Sequence, residues 1–172
     1  MKNRSINSYG LDSLKEILGD SFILKNKNKY FVYNGEEFPL KVSVTDLNSN
    51  SNNFNQMETI NMANHILGIG TMDSKIDWML VPVTEVARLS FGKKSQHGGL
   101  VCEDFIATLD EIDSSFYVKS ENLKESIEKL IDSQKTDANF KLLESRMIVE
   151  RILKDKSRKN YESFLNDFVA NL

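Results

Sequence analysis

The sequence predicts an α/β protein of the α+β type, with an αβββαβ core followed by a C-terminal helical segment. Two strand-like runs, Tyr30–Tyr33 and Phe38–Val44, flank the pair Asn34-Gly35. Both central residues of a type I′ turn need a positive φ, which Asn and Gly tolerate best, so this stretch predicts a tight β-hairpin. Apolar residues at helical spacing run through the last third of the chain and predict about three helices there.

The core begins with a helix and an N-terminal antiparallel meander. Four leucines and isoleucines recur at three- and four-residue steps before Gly19, which predicts a helix over Asp12–Leu18. A charged, turn-forming connector separates a strand at Phe22–Leu24 from the one at Tyr30–Tyr33. The third strand alternates apolar and polar residues, and Pro39 near its start favours an edge or entry position. Together with later strands, the meander would form a mixed sheet.

The middle of the chain predicts further elements of the same sheet. Residues 47–55 are polar and of low complexity, which indicates a loop. Helical spacing of apolar residues from Met57 to Leu67 predicts a helix, ended by the glycines that follow. Ile76–Val83 is almost entirely apolar and predicts a strand covered on both faces. Thr84 can cap a short helix through Leu89, and Leu100–Leu109 is predicted as a strand.

Three apolar stripes at helical spacing define the C-terminal segment. They cover residues 123–131, 140–152 and 161–172, and Ser120 is suited to cap the first. The sequence therefore predicts an α/β core domain at 1–119 and a helical extension at 120–172. The extension would pack on the core or serve oligomerisation.

Composition indicates the cellular compartment of the protein and the kinds of partner it can have. The chain has 172 residues, a net charge of −3 and one cysteine, Cys102. A single cysteine forms no internal disulfide, which favours a reducing compartment, and we expect a cytoplasmic protein. There is no apolar run long enough for a signal peptide or a membrane span, so no membrane partner is expected. The charge neither indicates nor excludes a polyanionic partner.

The predicted third strand carries Lys41, with Pro39 two residues before it. The αβββαβ order and this lysine resemble the core of the PD-(D/E)XK nuclease superfamily, the restriction-endonuclease-like fold, over roughly the first 85 to 110 residues. The resemblance implies Mg²⁺-dependent phosphodiester hydrolysis, with carboxylates holding the metal and the lysine orienting the attacking water. Pro39 stands where the family has a metal-binding acid. Glu36, Glu37 and Asp46 could replace it.

The resemblance therefore leaves two readings of this hairpin. If the protein is active, Lys41, Glu37 and Glu36 would be catalytic, and Asp46 and Glu37 would bind Mg²⁺. If it is not, the protein is a catalytically silent relative with no cofactor. The other titratable residues do not add a site, because His65 suits a satisfied, partly buried imidazole and the two histidines lack transition-metal spacing.

A basic, glycine-containing loop follows the second predicted helix. Lys93, Lys94, Ser95 and His97 could present ammonium groups, a hydroxyl and an imidazole to a phosphate chain. The alternative is a solvated surface turn, since short basic loops are common.

Two functions follow from the sequence. The first is a divergent or inactive restriction-endonuclease-like protein that acts on or near DNA. The alternative is a non-catalytic interaction or accessory module, such as a phage, plasmid or defence-system protein. It would bind a protein partner or form a homo-oligomer through residues 120–172.

Overall fold

A computed structural model describes residues 5–27, 29–49, 52–91, 93 and 104–155. It confirms the predicted α+β class, with N-terminal antiparallel strands in a mixed sheet and helices in the C-terminal part. The elements in chain order are α1 (Ile6–Leu18), β1 (Phe22–Lys25), β2 (Tyr30–Tyr33), β3 (Glu36–Asp46), β4 (Asn53–Met57), β5 (Asn64–Gly70), β6 (Asp77–Val81), α2 (Val83–Leu89), β7 (Phe105–Thr108), β8 (Tyr117–Val118), α3 (Leu123–Gln134) and α4 (Ala138–Asp155).

The strands form two sheets. The larger has six strands in the order β1-β2-β3-β5-β6-β8, and the smaller pairs β4 with β7. Strands β3 and β5 are parallel, and every other pair is antiparallel. A parallel pair needs a crossover connection. Here β4 makes that crossover, and it lies in the second sheet.

The N-terminal meander confirms the local turn chemistry. Asn34 and Gly35 have φ values of 46° and 72° and connect β2 to β3. The first helix ends as predicted at Gly19, whose φ is 67°. It begins earlier than predicted because Ser5 caps it, accepting a hydrogen bond from the backbone N–H of Ser8 at 3.3 Å.

The helix predicted between Met57 and Leu67 is wrong. Strand β4 begins at Asn53, so the loop before it is also shorter than predicted, and β5 begins at Asn64. Strand β5 is buried along its whole length between β3 and β6. Gly68 does not stop a helix here, because it pairs with Trp78 across the sheet and a Cβ at this position would lie 2.8 Å from the indole ring. The order through residue 89 is therefore αββββββα.

The later elements are mostly as predicted. Strands occur at β6 and β7, and α2 ends at Leu89. Thr84 does not cap α2, because that helix begins one residue earlier and Pro82 occupies the N-cap position. Ser120 begins a short 3₁₀ turn that leads into α3. The predicted third helix at 161–172 lies outside the described residues.

Two hydrophobic cores lie on the two faces of the six-stranded sheet. Helices α1 and α3 cover one face, where Leu14 and Ile127 are fully buried. Strands β4 and β7 and helix α2 cover the other, where Phe54 and Phe105 are fully buried. Among the described residues, no helix is both long and apolar enough to cross a membrane.

A buried amide pair connects α3 to the sheet. Asn64 Nδ2 donates to Gln134 Oε1 at 3.2 Å, and Gln134 Nε2 donates to Asn64 Oδ1 at 2.9 Å. Asn64 Oδ1 also accepts the backbone N–H of Val83 at 2.9 Å. These bonds satisfy two buried polar side chains and fix α3 and the start of α2 relative to β5.

A buried lysine and glutamate cluster as the candidate functional site

Lys41 lies at the centre of β3 and is only 7% exposed. Its neighbours along the sheet are Tyr30 on β2 and His65 on β5. Successive side chains of a strand point to opposite faces, and Leu40 faces the core under α1. The Lys41 side chain therefore points to the other face, toward β4.

The Lys41 ammonium is held by two groups from the segment that follows β3. Its Nζ donates to the backbone carbonyl of Gln56 at 2.5 Å and lies 3.4 Å from Glu58 Oε1. The side chains of Lys41 and Glu58 are each 9% exposed. Burial lowers the pKa of Lys41, and the Glu58 carboxylate opposes that shift. A buried charge of this kind needs its partner, because an isolated ammonium in the interior is costly.

A β-bulge brings the Gln56 carbonyl to the lysine. Phe54 pairs with Ala107 and Met57 with Phe105, so β4 has one more residue than β7 across this interval. Gln56 has a φ of 58°, in the left-handed region that non-glycine residues rarely adopt. Backbone strain of this kind persists where surrounding contacts hold it, and here the bond from Lys41 is one of them.

Tyr30 and Asn61 complete the surroundings of the Glu58 carboxylate. The Tyr30 hydroxyl and Asn61 Nδ2 both donate to Glu58 Oε1, the amide at 3.1 Å. Burial and the adjacent carboxylate raise the pKa of Tyr30, so the phenol stays protonated and remains a donor. The ring of Tyr30 lies 5.8 Å from Lys41 Nζ, within cation–π range. We call Tyr30, Lys41, Glu58 and Asn61 the lysine–glutamate cluster.

His65 supports the cluster from β5. Its Nε2 accepts the backbone N–H of Glu58 at 3.3 Å, and its Nδ1 is 3.0 Å from the carbonyl of Ala63. Since Nε2 accepts, the ring carries its proton on Nδ1 and donates it to Ala63. Complete burial and the Lys41 charge lower the pKa of His65 to about 3. The imidazole is satisfied and neutral, and it positions Glu58 through the backbone.

No protein-family model matches this chain, and the search of curated proteins found no match. The geometry of the cluster is therefore the basis for its interpretation.

Asp46 lies far from Lys41. The two residues are five positions apart on β3, which places them about 17 Å apart along the strand and on opposite faces. Asp46 Oδ1 instead accepts the backbone N–H of Asn48 at 2.9 Å. Glu36 and Glu37 belong to β3, but their side chains lie outside the described part of the structure. In that part, no group of three or more His, Cys, Asp or Glu residues is arranged to hold a metal ion.

The predicted phosphate-binding loop is described only at Lys93. The Lys93 ammonium contacts Glu111 Oε1 at 2.5 Å and donates to the carbonyl of Ile106 at 3.1 Å. Lys93 thus connects the segment after α2 to β7 and to the turn that follows β7. Hydrogen bonding to this lysine lowers the pKa of Glu111. Lys94, Ser95 and His97 lie outside the described residues.

Sequence reasoning missed Glu58, Gln56 and Tyr30 as partners of Lys41. Glu58 fell in the helix predicted between Met57 and Leu67. The signal that could have found it is the pairing of β5 with β3, which brings the segment before β5 back to the middle of β3. A lone buried lysine on a central strand would then have required a carboxylate from that segment.

Proposed function

We propose that this chain is a non-catalytic interaction module that associates through its C-terminal helices. The observation that carries the proposal is on α4, which has apolar side chains on two faces. A cytoplasmic location belongs to the same proposal, supported by the single cysteine.

The contacts of Lys41 support the non-catalytic part. A lysine that orients water at a metal needs its ammonium directed into a solvent-accessible site beside carboxylates. The Lys41 ammonium is instead buried against the Gln56 carbonyl and Glu58, and Glu58 also accepts hydrogen bonds from Tyr30 and Asn61. These contacts suit a structural ion pair that joins β3 to the segment after β4.

The two faces of α4 support the interaction part. Phe140 and Met147 are seven residues apart and are 7% and 1% exposed. Leu142 and Val149, also seven apart, are 72% and 37% exposed. At about 100° per residue, the second pair lies on the side of the helix opposite the first. We call Leu142 and Val149 the exposed stripe of α4, and exposed apolar side chains on a helix that is already anchored suit an interaction surface.

We take the partner to be a second copy of the chain. Closed, two-fold homo-oligomers are the commonest assemblies, and a helix stripe can pair with the same stripe on another copy. The sequence at 161–172 also has apolar residues at helical spacing.

Sedimentation velocity on the full chain tests this proposal. We expect the wild-type protein to self-associate and Leu142→Glu to shift it to monomer, raising the dissociation constant at least about tenfold. Met72→Glu is the matched control, because Met72 is 37% exposed in the β5–β6 turn, away from α4. A wild-type protein that is monomeric at all concentrations, or a Met72→Glu variant that dissociates equally, would contradict the proposal.

Nuclease activity on DNA is the second candidate. Lys41 and Lys29 line one cavity of about 260 Å³, where the exposed Lys29 could present its ammonium group to a phosphate. The test is cleavage of supercoiled plasmid with Mg²⁺. Under this candidate, wild-type protein cleaves and Lys41→Ala does not. Under the leading proposal, neither protein cleaves above a mock purification.

A further inference from the structure

Strand β3 extends well beyond its partner β2. The pairing between them ends where Tyr30 lies opposite Lys41, whereas the pairing of β3 with β5 continues to Asp46. Within the described residues, the segment Val42–Asp46 therefore has no partner strand on the β2 side. An open strand edge presents backbone N–H and C=O groups that can pair with another strand.

A cavity of about 260 Å³ lies along this open edge. Val42, Ser43 and Val44 of β3 line it together with residues of α1 and β4. The edge of β3 therefore lies in a groove. We call it the β3 groove.

The backbone of β3 points its hydrogen-bonding groups into the β3 groove. The N–H of Val42 reaches the carbonyl of Lys29 at 3.4 Å, a long bond at the limit of the β2 pairing. The N–H of Val44 donates to Asn7 Oδ1 at 3.2 Å. The Asn7 oxygen lies where the carbonyl oxygen of an added strand would accept, so the groove already has the geometry of strand pairing.

The side chains of the β3 groove select the charge of the added segment. Its ionisable lining residues are both lysines, Lys29 and Lys41, and Lys29 is exposed. Amide side chains, which can donate or accept, supply much of the remaining polar lining, among them Asn53 and Asn55 on β4. The Lys41 ammonium is already held by Gln56 and Glu58, so Lys29 is the lysine that faces an added segment. An acidic segment complements it, because a carboxylate gains a charge-assisted hydrogen bond from the Lys29 ammonium.

We propose that an extended acidic peptide segment of a partner protein adds to the sheet at the β3 groove. Its backbone pairs with Val44 beyond the end of β2, its carbonyl replaces the Asn7 oxygen at the Val44 N–H, and its acidic side chains contact Lys29. Main-chain bonds supply affinity in this mode and side-chain pockets supply specificity. The β3 groove is separate from the exposed stripe of α4, so the inference does not depend on self-association.

Selection of a phage-displayed library of random peptides on the full-length chain tests the inference. We expect the selection to yield acidic peptides, and we expect synthetic copies of these peptides to bind the chain. N-methylation of every second backbone nitrogen, in one of the two possible alternations, should abolish that binding. The same modification in the other alternation should leave binding intact, because only alternate residues of a strand face its neighbour.

Two variants locate the binding site. Lys29→Glu should weaken the selected peptides on the order of tenfold, and Asn55→Trp should block them by filling the β3 groove from an exposed position on β4. Lys119→Glu, an identical charge change next to the opposite edge strand β8, should leave affinity unchanged. Thermal unfolding shows whether each variant is folded. If Asn55→Trp does not fold, the effect of Lys29→Glu on peptide affinity alone tests the inference.

Three results would overturn the inference. One is a selection that yields no peptide sensitive to Lys29→Glu. Another is equal loss of binding when either alternation is N-methylated. The third is competition by a single-stranded oligodeoxynucleotide whose own binding is abolished by Lys29→Glu. That result would assign the β3 groove to a nucleic acid.

Discussion

Lys41 Nζ lies 3.4 Å from Glu58 Oε1, and the two side chains are each 9% exposed. This ion pair joins β3, the third strand of the meander, to the segment that leads into β5. A buried pair of this kind contributes little net stability relative to apolar residues of the same shape. Removing only one of the two charged side chains is costly, because the remaining charge stays buried without a partner.

Lys41→Met should destabilise the protein by about 3–5 kcal/mol, because it leaves the Glu58 carboxylate buried without its cation. Adding Glu58→Gln should recover much of that loss, since the uncompensated charge is then removed. Urea unfolding of the two single variants and the double variant measures the coupling energy. A Lys41→Met protein within about 0.5 kcal/mol of wild type would contradict the role assigned to the pair.

Tyr30→Phe should destabilise the protein by about 1.5–3 kcal/mol, the usual contribution of a hydrogen bond to a charged group. The hydroxyl donates to the Glu58 carboxylate, and the change removes that donor while keeping the ring. Tyr117→Phe is the control, because Tyr117 is 46% exposed on the edge strand β8 and should change stability little. If Tyr30→Phe and Tyr117→Phe change the free energy of unfolding in urea equally, the hydrogen bond from Tyr30 to Glu58 does not stabilise the protein.

The neutral state of His65 makes stability depend on pH. The pKa of His65 is about 3 in the folded protein against an ordinary value of 6.5, so below pH 6.5 the unfolded chain binds the extra proton. The contribution is fully present above pH 6.5 and falls as the pH drops toward 3, by about 1.4 kcal/mol per unit.

His65→Gln should remove this part of the pH dependence, because an amide can accept from the Glu58 N–H without titrating. Acidic groups such as Glu111 also lose stabilisation on acidification, so the readout is the difference between wild type and variant from pH 7 to pH 4. Parallel curves for the two proteins would show that His65 does not carry the effect.

Gly35→Ala should destabilise the hairpin by about 1–2 kcal/mol, because the φ of 72° places an L side chain in the left-handed region. A Cβ at Gly35 would meet nothing within 4 Å, so the cost comes from the backbone alone. Gly35→Asn should cost less, since Asn tolerates this conformation. Thermal unfolding measures both, and an Ala variant as stable as the Asn variant would contradict the assignment.

The meander could be predicted because its information is local. The Asn34-Gly35 pair determines the turn, and alternation along β3 determines which face is apolar. The segment from Asn53 to Gly70 could not be predicted in this way, because strand pairing with distant parts of the chain overrides the helical spacing of its apolar residues. Strand β5 is stable only between β3 and β6, with Ile66 in one core and Leu67 in the other.

Only part of the candidate site could be predicted from the sequence. Lys41 was identified on its strand, but its partners depend on the β4 bulge and on the return of the chain to β3. No local pattern marks Gln56 as a residue with a φ of 58°. The nuclease resemblance rested partly on a helix between the third and fourth strands of the predicted order, and that helix is absent from the described residues.

Cross-linking through α4 tests whether copies of the chain associate through the exposed face of this helix. In a Cys102→Ser background, Leu142→Cys protein is treated with a short bis-maleimide, and Met72→Cys protein serves as the control. We expect a covalent dimer at low micromolar protein for the Leu142→Cys variant and monomer for the Met72→Cys control. Monomer for both variants, or equal yields of dimer, would contradict it.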